Sequence, residues 1–235
     1  MSTDEKKERR ETPLLNLGLN IVIPVIILVR FSGDDQLGPK YGLLVALAFP
    51  VGYGIYDFVV RRGFNFYSAL GFVSILLTGG IGLLKLHVEW VAIKEAGVPF
   101  IIGIAVLVSL RTRYPLVKTL IHKVIEVEKV YGALRHRDSV DAYERRLVVS
   151  TYVVTFGLLV STVLNYVLAR IVVVSESGTT AFNEELGRMT ALSLPVITIP
   201  SITILGIALY YLVSGITKET GLEFQDVFAN TREDK

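Results

Sequence analysis

Lys85, Glu89, Lys94 and Glu95 crowd the junction between two apolar runs, each long enough to be a membrane helix. Ammonium and carboxylate groups near bilayer depth are costly. They pair with a partner, or they handle a proton, an ion or a polar substrate. Asp57 is the deepest acid of the second apolar run, in Gly52-Tyr-Gly-Ile-Tyr-Asp57, and Arg61 follows four residues later on the same helical face. A terminal ion pair is the plainer reading of Asp57 and Arg61. The chemical reading is a proton- or cation-handling acid assisted by Tyr53 and Tyr56.

Length sharpens the junction. A helix from Val91 to Leu110 is about 30 Å long and puts Lys94 and Glu95 roughly 5 Å inside the hydrocarbon boundary. Starting at Ala96 removes the charges but leaves only about 22 Å. Either the charges are buried in protein, or the segment enters as a short, broken helix. Pro99 lacks an amide hydrogen, so the carbonyl of Glu95 loses its helical bond, and Gly97 loosens the same turn. The alternative is an interfacial start, with Lys85 and Lys94 snorkelling, Trp90 at the surface and Pro99 in the first turn. That is the preferred reading of the turn Lys94–Pro99.

Other residues bear on packing. Ser74, Thr78 and Gly82 lie four apart, with Gly79 and Gly80 beside them, and small residues let a neighbouring helix approach closely. The face serves packing within one bundle, or else a dimer. Asn20 and Asn165 are mid-span amides suited to interhelical hydrogen bonds. Pro24 frees the carbonyl of Asn20, and Pro195 and Pro200 free those of Ala191 and Val196. An irregular half-helix at Pro195 and Pro200 could frame a polar cavity with the Lys94–Pro99 turn.

No catalytic motif is present. There is no phosphate-binding Gly-x-x-x-x-Gly-Lys, no Gly-x-Ser-x-Gly and no His-Glu-x-x-His, and His87, His122 and His136 are isolated. The absence of cysteine excludes disulfides, cysteine zinc sites and thiol chemistry. These features point away from an enzyme and imply neither a metal nor a cofactor. A net charge of +2 gives no indication of a nucleic-acid partner.

The elements that must position these residues are membrane helices. The chain is 51% hydrophobic, its mean hydropathy is +0.53, and its apolar residues fall in long blocks. Six runs approach spanning length: Leu14–Val29, Gly42–Val60, Phe66–Leu86, Val91–Leu110, Leu147–Val174 and Leu192–Ile216. The expected fold is all-α, a single membrane domain over 1–235 with six spans, a polar tail at 1–13 and another at 217–235 that frays after Gly221. Eighteen Lys and Arg residues fall on the side of both tails and six on the other, so both termini are expected to be cytoplasmic. Between the fourth and fifth runs, 111–146 carries Val117, Leu120, Ile121, Val124, Val127, Tyr131 and Leu134 at helical spacing. An amphipathic cytoplasmic helix is expected there, its basic residues suited to anionic lipid head groups. Asp141-x-x-Glu144 reads as a capping box that starts the next helix near Ala142.

The stretch from Leu76-Leu-Thr-Gly79-Gly80 to Lys94-Glu-Ala-Gly-Val-Pro99 resembles a motif of small bacterial inner-membrane proteins related to the intracellular septation protein A family. Gly79, Gly80, Ile93, Lys94 and Pro99 would hold the motif positions. Leu15-Asn16 to Pro24 and Phe49-Pro50 to Gly54 resemble an uncharacterised, transporter-like branch. The resemblance covers roughly the first four helices. It implies a bacterial inner-membrane protein linked to the cell envelope; the basic 111–146 segment and the six-span layout depart from the simpler septation proteins. Two function classes follow. One is a non-enzymatic envelope- or membrane-organising protein acting through lipids, a second copy of itself or an envelope partner. The other is a small transporter or channel using the hinge charges, Asp57 and the prolines of the sixth run.

Overall fold

The computed structural model describes residues 17–61 and 66–228, and the side chains of 57–72 lie outside the described set. Regular structure among the described residues is helical, apart from one isolated β-bridge between Ile125 and Phe228. The helices are α1 (Gly18–Arg30), α2 (Gly38–Arg61), α3 (Phe66–Leu83), α4 (Glu89–Ser109), α5 (Leu116–Ile121), α6 (Val127–His136) and α7 (Val140–Val172). They are followed by α8 (Thr180–Thr220) and α9 (Phe224–Val227). Each of the six apolar runs coincides with a helix. Of these, α4, α7 and α8 are long and apolar enough to cross a membrane by length and composition. Only 28%, 33% and 17% of their most apolar windows is buried inside the protein. Helices this apolar and this uncovered are what a lipid solvent requires, because water does not tolerate such continuous apolar surface on a soluble domain.

The prolines leave a legible mark. A π turn at Gly18–Val22 immediately precedes Pro24, and there the amide of Ile23 donates to Gly18 O, five residues back. A second π turn, Leu194–Thr198, contains Pro195 and ends just before Pro200. Widening a turn shifts each bond to the next amide, which accommodates a carbonyl deprived of its partner by proline. The half-helix expected at Pro195 and Pro200 is therefore a widened turn inside one continuous helix. Pro50 and Pro99 sit within α2 and α4 without interrupting the α-helix assignment.

Contacts divide the chain into two compact units. The first comprises Met1–Lys94 and Val167–Leu194. Its core gathers Leu28 of α1, Leu43 and Ala46 of α2, Ile81 of α3, Val91 and Ala92 of α4, Ala169 of α7, and Phe182, Leu186 and Met189 of α8. Helix α8 starts at Thr180, well ahead of the apolar run, because the Thr179 hydroxyl caps it by accepting from the Phe182 amide at 3.1 Å. Gly187 lets α1 lie against α8; a Cβ there would come within 2.7 Å of Val29.

The second unit comprises Glu95–Tyr166 and Pro195–Lys235. Its core gathers Ile125, Val130 and Leu134 with Tyr143 and Leu147 of α7, Leu212, Val213 and Ile216 of α8, and Val227 of α9. Two expectations are corrected here. Segment 111–146 is not one amphipathic helix but two. The chain tightens at Lys123 and Val124 and turns extended at Ile125, which pairs with Phe228. Residues 222–228 do not fray, and 229–235 lie outside the described residues. Gly221 closes α8 at φ 73°, α9 follows, and Val227 is fully buried with its carbonyl accepting from the Glu126 amide at 2.9 Å.

Candidate functional site

The hinge between α3 and α4 is built by a helix ending that glycine usually makes. Lys85 takes the left-handed conformation at φ 54°, and the Leu86 amide reaches back to Ile81 O at 2.9 Å. This six-to-one bond satisfies a carbonyl that the end of α3 leaves open. Gly178, at φ 83°, passes close over the Lys85 stem, where a Cβ would approach Lys85 Cγ and Gly82 O within about 3.1 Å. Lys85 itself is exposed.

Helix α4 begins at Glu89, two residues earlier than its apolar run. Glu89 Oε1 accepts from Arg170 Nη1 of α7 at 2.9 Å in an exposed ion pair. Val91 and Ala92 enter the unit 1 core, while Trp90 and Ile93 face outward. Lys94 is half-buried. Its ammonium donates to Thr78 Oγ1 at 2.8 Å and to Ser74 Oγ at 3.3 Å. Thr78 in turn donates to Ser74 O at 3.0 Å. Lys94 therefore finds protein partners one helix away, and Pro99 does not break α4. Glu95 is half-buried in the first residues of unit 2.

The small-residue face of α3 does two jobs rather than one. Ser74 and Thr78 receive Lys94. Gly79 and Gly82 receive α2 and α8: a Cβ on Gly79 would come within 2.9 Å of Leu47, and one on Gly82 would collide with Leu43 and crowd Phe182. Gly80 meets nothing within 4 Å. The pair Asp57 and Arg61 falls on α2, but both side chains lie outside the described residues.

Asn183, which the sequence reading passed over, organises the rest of unit 1. It is fully buried, and its amide donates to Ser32 Oγ at 3.2 Å and Pro39 O at 2.7 Å. Thr180 adds a bond to Ser32 O at 3.0 Å. Glu185 accepts from the Val174 and Ser175 amides and from the Ser175 hydroxyl, at 2.7–2.9 Å. The available signal was polar residues at helical spacing after a Thr cap.

Unit 2 carries the denser charge network. Glu144 Oε1 accepts from Lys118 Nζ at 2.5 Å and from the Tyr131 hydroxyl at 2.9 Å. Glu144 thus ties three helices together instead of closing a capping box. His122, Tyr131 and Tyr143 stack edge to face, at 5.7 and 5.6 Å between ring centres. Burial holds the His122 pKa below its usual range, with Lys118 pushing the same way and Glu144 opposing. Burial, then the bond to Glu144, raises the Tyr131 phenol. Arg146 Nε donates to Glu219 Oε1 at 2.7 Å, and its guanidinium lies 5.1 Å from the Tyr211 ring centre. Gly215 leaves room for that guanidinium, since any Cβ there would collide with it. Lys129 pairs with Asp226 of α9 at 2.6 Å.

A cavity of about 190 Å³ lies between α7 and α8 within unit 2, lined by Val154, Gly157, Leu158 and Ser161 and by Ser201, Ile202, Ile204 and Leu205. Its wall is almost wholly aliphatic. Asn165 donates to Ser161 O at 2.8 Å, an in-helix bond rather than a bridge to another helix. Among the described residues, no group of three or more His, Asp or Glu side chains could hold a metal ion. No family model, no curated protein and no solved structure matches the chain.

Proposed function

We propose that the chain is a multi-pass protein of the bacterial cytoplasmic membrane that organises membrane or envelope through lipids or partner proteins, without catalysis. In this reading α1, α2 and α3 join the three long helices to make six spans, and both termini are cytoplasmic. The observation that carries it is the use made of Lys94: its ammonium ties α4 to the hydroxyls of α3. The cavity described above is aliphatic, and none of the hinge charges lines it. The resemblance to septation-related proteins at Gly79, Gly80, Ile93, Lys94 and Pro99 supports a role at the envelope. Segment 111–146 then meets the cytoplasmic leaflet, with a second copy or an envelope protein as the partner.

Aqueous thiol labelling tests this against transport. The chain has no native cysteine, so single cysteines at Asp57, Lys94 and Glu95 report without background. All three should stay unlabelled in intact membranes and react after denaturation. Labelling at two of the positions before denaturation would establish a water path and hand the site to a transporter. A topology reporter at Ser139 should read cytoplasmic. Crosslinking in native membranes should recover a defined partner; recovery of the monomer alone would sink the organising role.

A further inference from the structure

The apolar face that the sequence directs toward lipid in segment 111–146 is partly spent on protein, with Val117 and Leu134 buried and Ile121, Val127 and Tyr131 half-buried. Part of that face, and the two apolar residues just ahead of it, stay uncovered. Tyr114, Leu116, Leu120 and Val124 stand out at the elbow between α4 and α5, Tyr114 at 71% exposure and Leu120 at 53%. Resting on the reading of α4 as a membrane span, the geometry points to this elbow as a docking surface for an anionic phospholipid. Arg111, Arg113 and Lys123 meet the phosphate, and the apolar stripe meets the glycerol and upper acyl chain.

Three observations carry the proposal. The first is charge. Lys118, Lys129 and Arg146 are each paired with a carboxylate of the protein, whereas Arg111, Arg113 and Lys123 are exposed and make no ion pair with a described residue. No Asp or Glu occurs between Glu95 and Glu126, so the surface is cationic without local compensation. The second is position. The elbow follows directly on Ser109, the last residue of α4, where a spanning helix meets the head groups. The third is rigidity. The buried Ser109 hydroxyl donates to Val106 O at 2.6 Å and accepts from the Leu116 amide at 3.0 Å, which fixes the start of α5 to the end of α4. Thr112 donates to Ser109 O at 2.8 Å and accepts from the Tyr114 amide at 3.2 Å. A fixed elbow presents its cations and its apolar stripe together, and a membrane surface recognises that combination.

The experiment uses the full chain in lipid nanodiscs, either phosphatidylcholine alone or with one third phosphatidylglycerol. A fluorophore on Leu120→Cys is quenched by lipid nitroxides placed near the glycerol, and a probe on Phe156→Cys of α7 serves as the membrane control. Each cation near an anionic surface changes lipid occupancy roughly fivefold. Quenching at Leu120 should therefore be much stronger with phosphatidylglycerol, and R111Q/R113Q/K123Q should abolish that difference while K129Q keeps it. Equal quenching of the wild type in both discs would overturn anionic recognition, and that comparison needs no charge variant to fold. No quenching at position 120 with strong quenching at 156 would overturn the docking surface and leave the membrane reading intact. No quenching at either position would instead refute the membrane reading. Displacement by soluble glycerophosphoglycerol would make the elbow a phosphate site rather than a lipid-docking surface, and would also overturn the proposal.

Discussion

The two units solve the same problem with different chemistry. In unit 1 the internal polar contacts use mainly hydroxyls, amides and main chain, with the Glu185 carboxylate accepting from two amides and a hydroxyl. Asn183 bonds Ser32 and Pro39 O, Thr180 bonds Ser32 O, and even Lys94 bonds two hydroxyls. In unit 2 the contacts between elements beyond the apolar runs include three carboxylate–cation pairs, Lys118–Glu144, Arg146–Glu219 and Lys129–Asp226. Unit 1 carries two exposed ion pairs among the described residues, Glu89–Arg170 at the ends of α4 and α7 and Glu184–Arg188 within α8. Charge pairs thus gather where water can share the cost of desolvation, and small neutral donors and acceptors serve where apolar surface dominates. The consequence is that salt should act more on the contacts between elements of unit 2 than on those of unit 1.

Substitutions can break or sharpen that contrast. The largest effect is expected at Glu219. Its side chain is 14% exposed, so Glu219→Ala leaves the Arg146 guanidinium poorly compensated and should cost about 3 kcal/mol, read as thermal stability in detergent. A loss equal to that of an exposed pair would refute the distinction. Next comes packing in unit 1. Gly82→Ala drives a methyl into Leu43 and should cost about 1–3 kcal/mol. Gly80→Ala meets open space and should be neutral or better, the helix gaining up to about 1 kcal/mol. Equal effects at the two glycines would mean that the α3 face is not packed as described.

A smaller loss, about 1 kcal/mol, is expected for Thr78→Val, which keeps the shape and removes one Lys94 partner. It should not vary with ionic strength, in contrast to Glu219→Ala. The smallest effect concerns acid. The folded His122 pKa lies below the ordinary histidine value of 6.5, so the unfolded chain binds more protons in the window just beneath that value. The stability that neutral His122 contributes is present at neutral pH and is lost as pH falls below 6.5. His122→Gln should flatten melting temperature against pH across that window. An unchanged slope would assign the acid response to another group.

The sequence made the irregularities of the long helices legible, because proline acts locally and its missing amide needs no tertiary information. Both π turns lie at prolines singled out on that ground, Pro24 and the Pro195 and Pro200 pair. The partner of Lys94 was less legible. Ser74 and Thr78 were picked out as small residues, but only the crossing of α3 and α4 brings them within reach of an ammonium. The start of α8 is hidden because Asn183, Glu184, Glu185 and Arg188 interrupt hydropathy, although the Asn183 amide nitrogen and the Glu185 carboxylate find hydrogen-bond partners within unit 1. The same limit hid the fold of 222–228. Polar composition suggested a free tail, while one buried valine and one β-bridge, both contacts distant in sequence, decide otherwise.

That β-bridge sets an order of birth. Ile125 and Glu126 are made about a hundred residues before Val227 and Phe228, to which they bond. At roughly 5–20 residues per second, the second unit waits about 5–20 s for the strand that closes it. During that interval Ile125 and Val130 have no Val227 to cover them, and Leu212, Val213 and Ile216 of the same core are made only near its end. Completion of this unit is therefore a late event, timed by translation of the last turns of α8 and of α9.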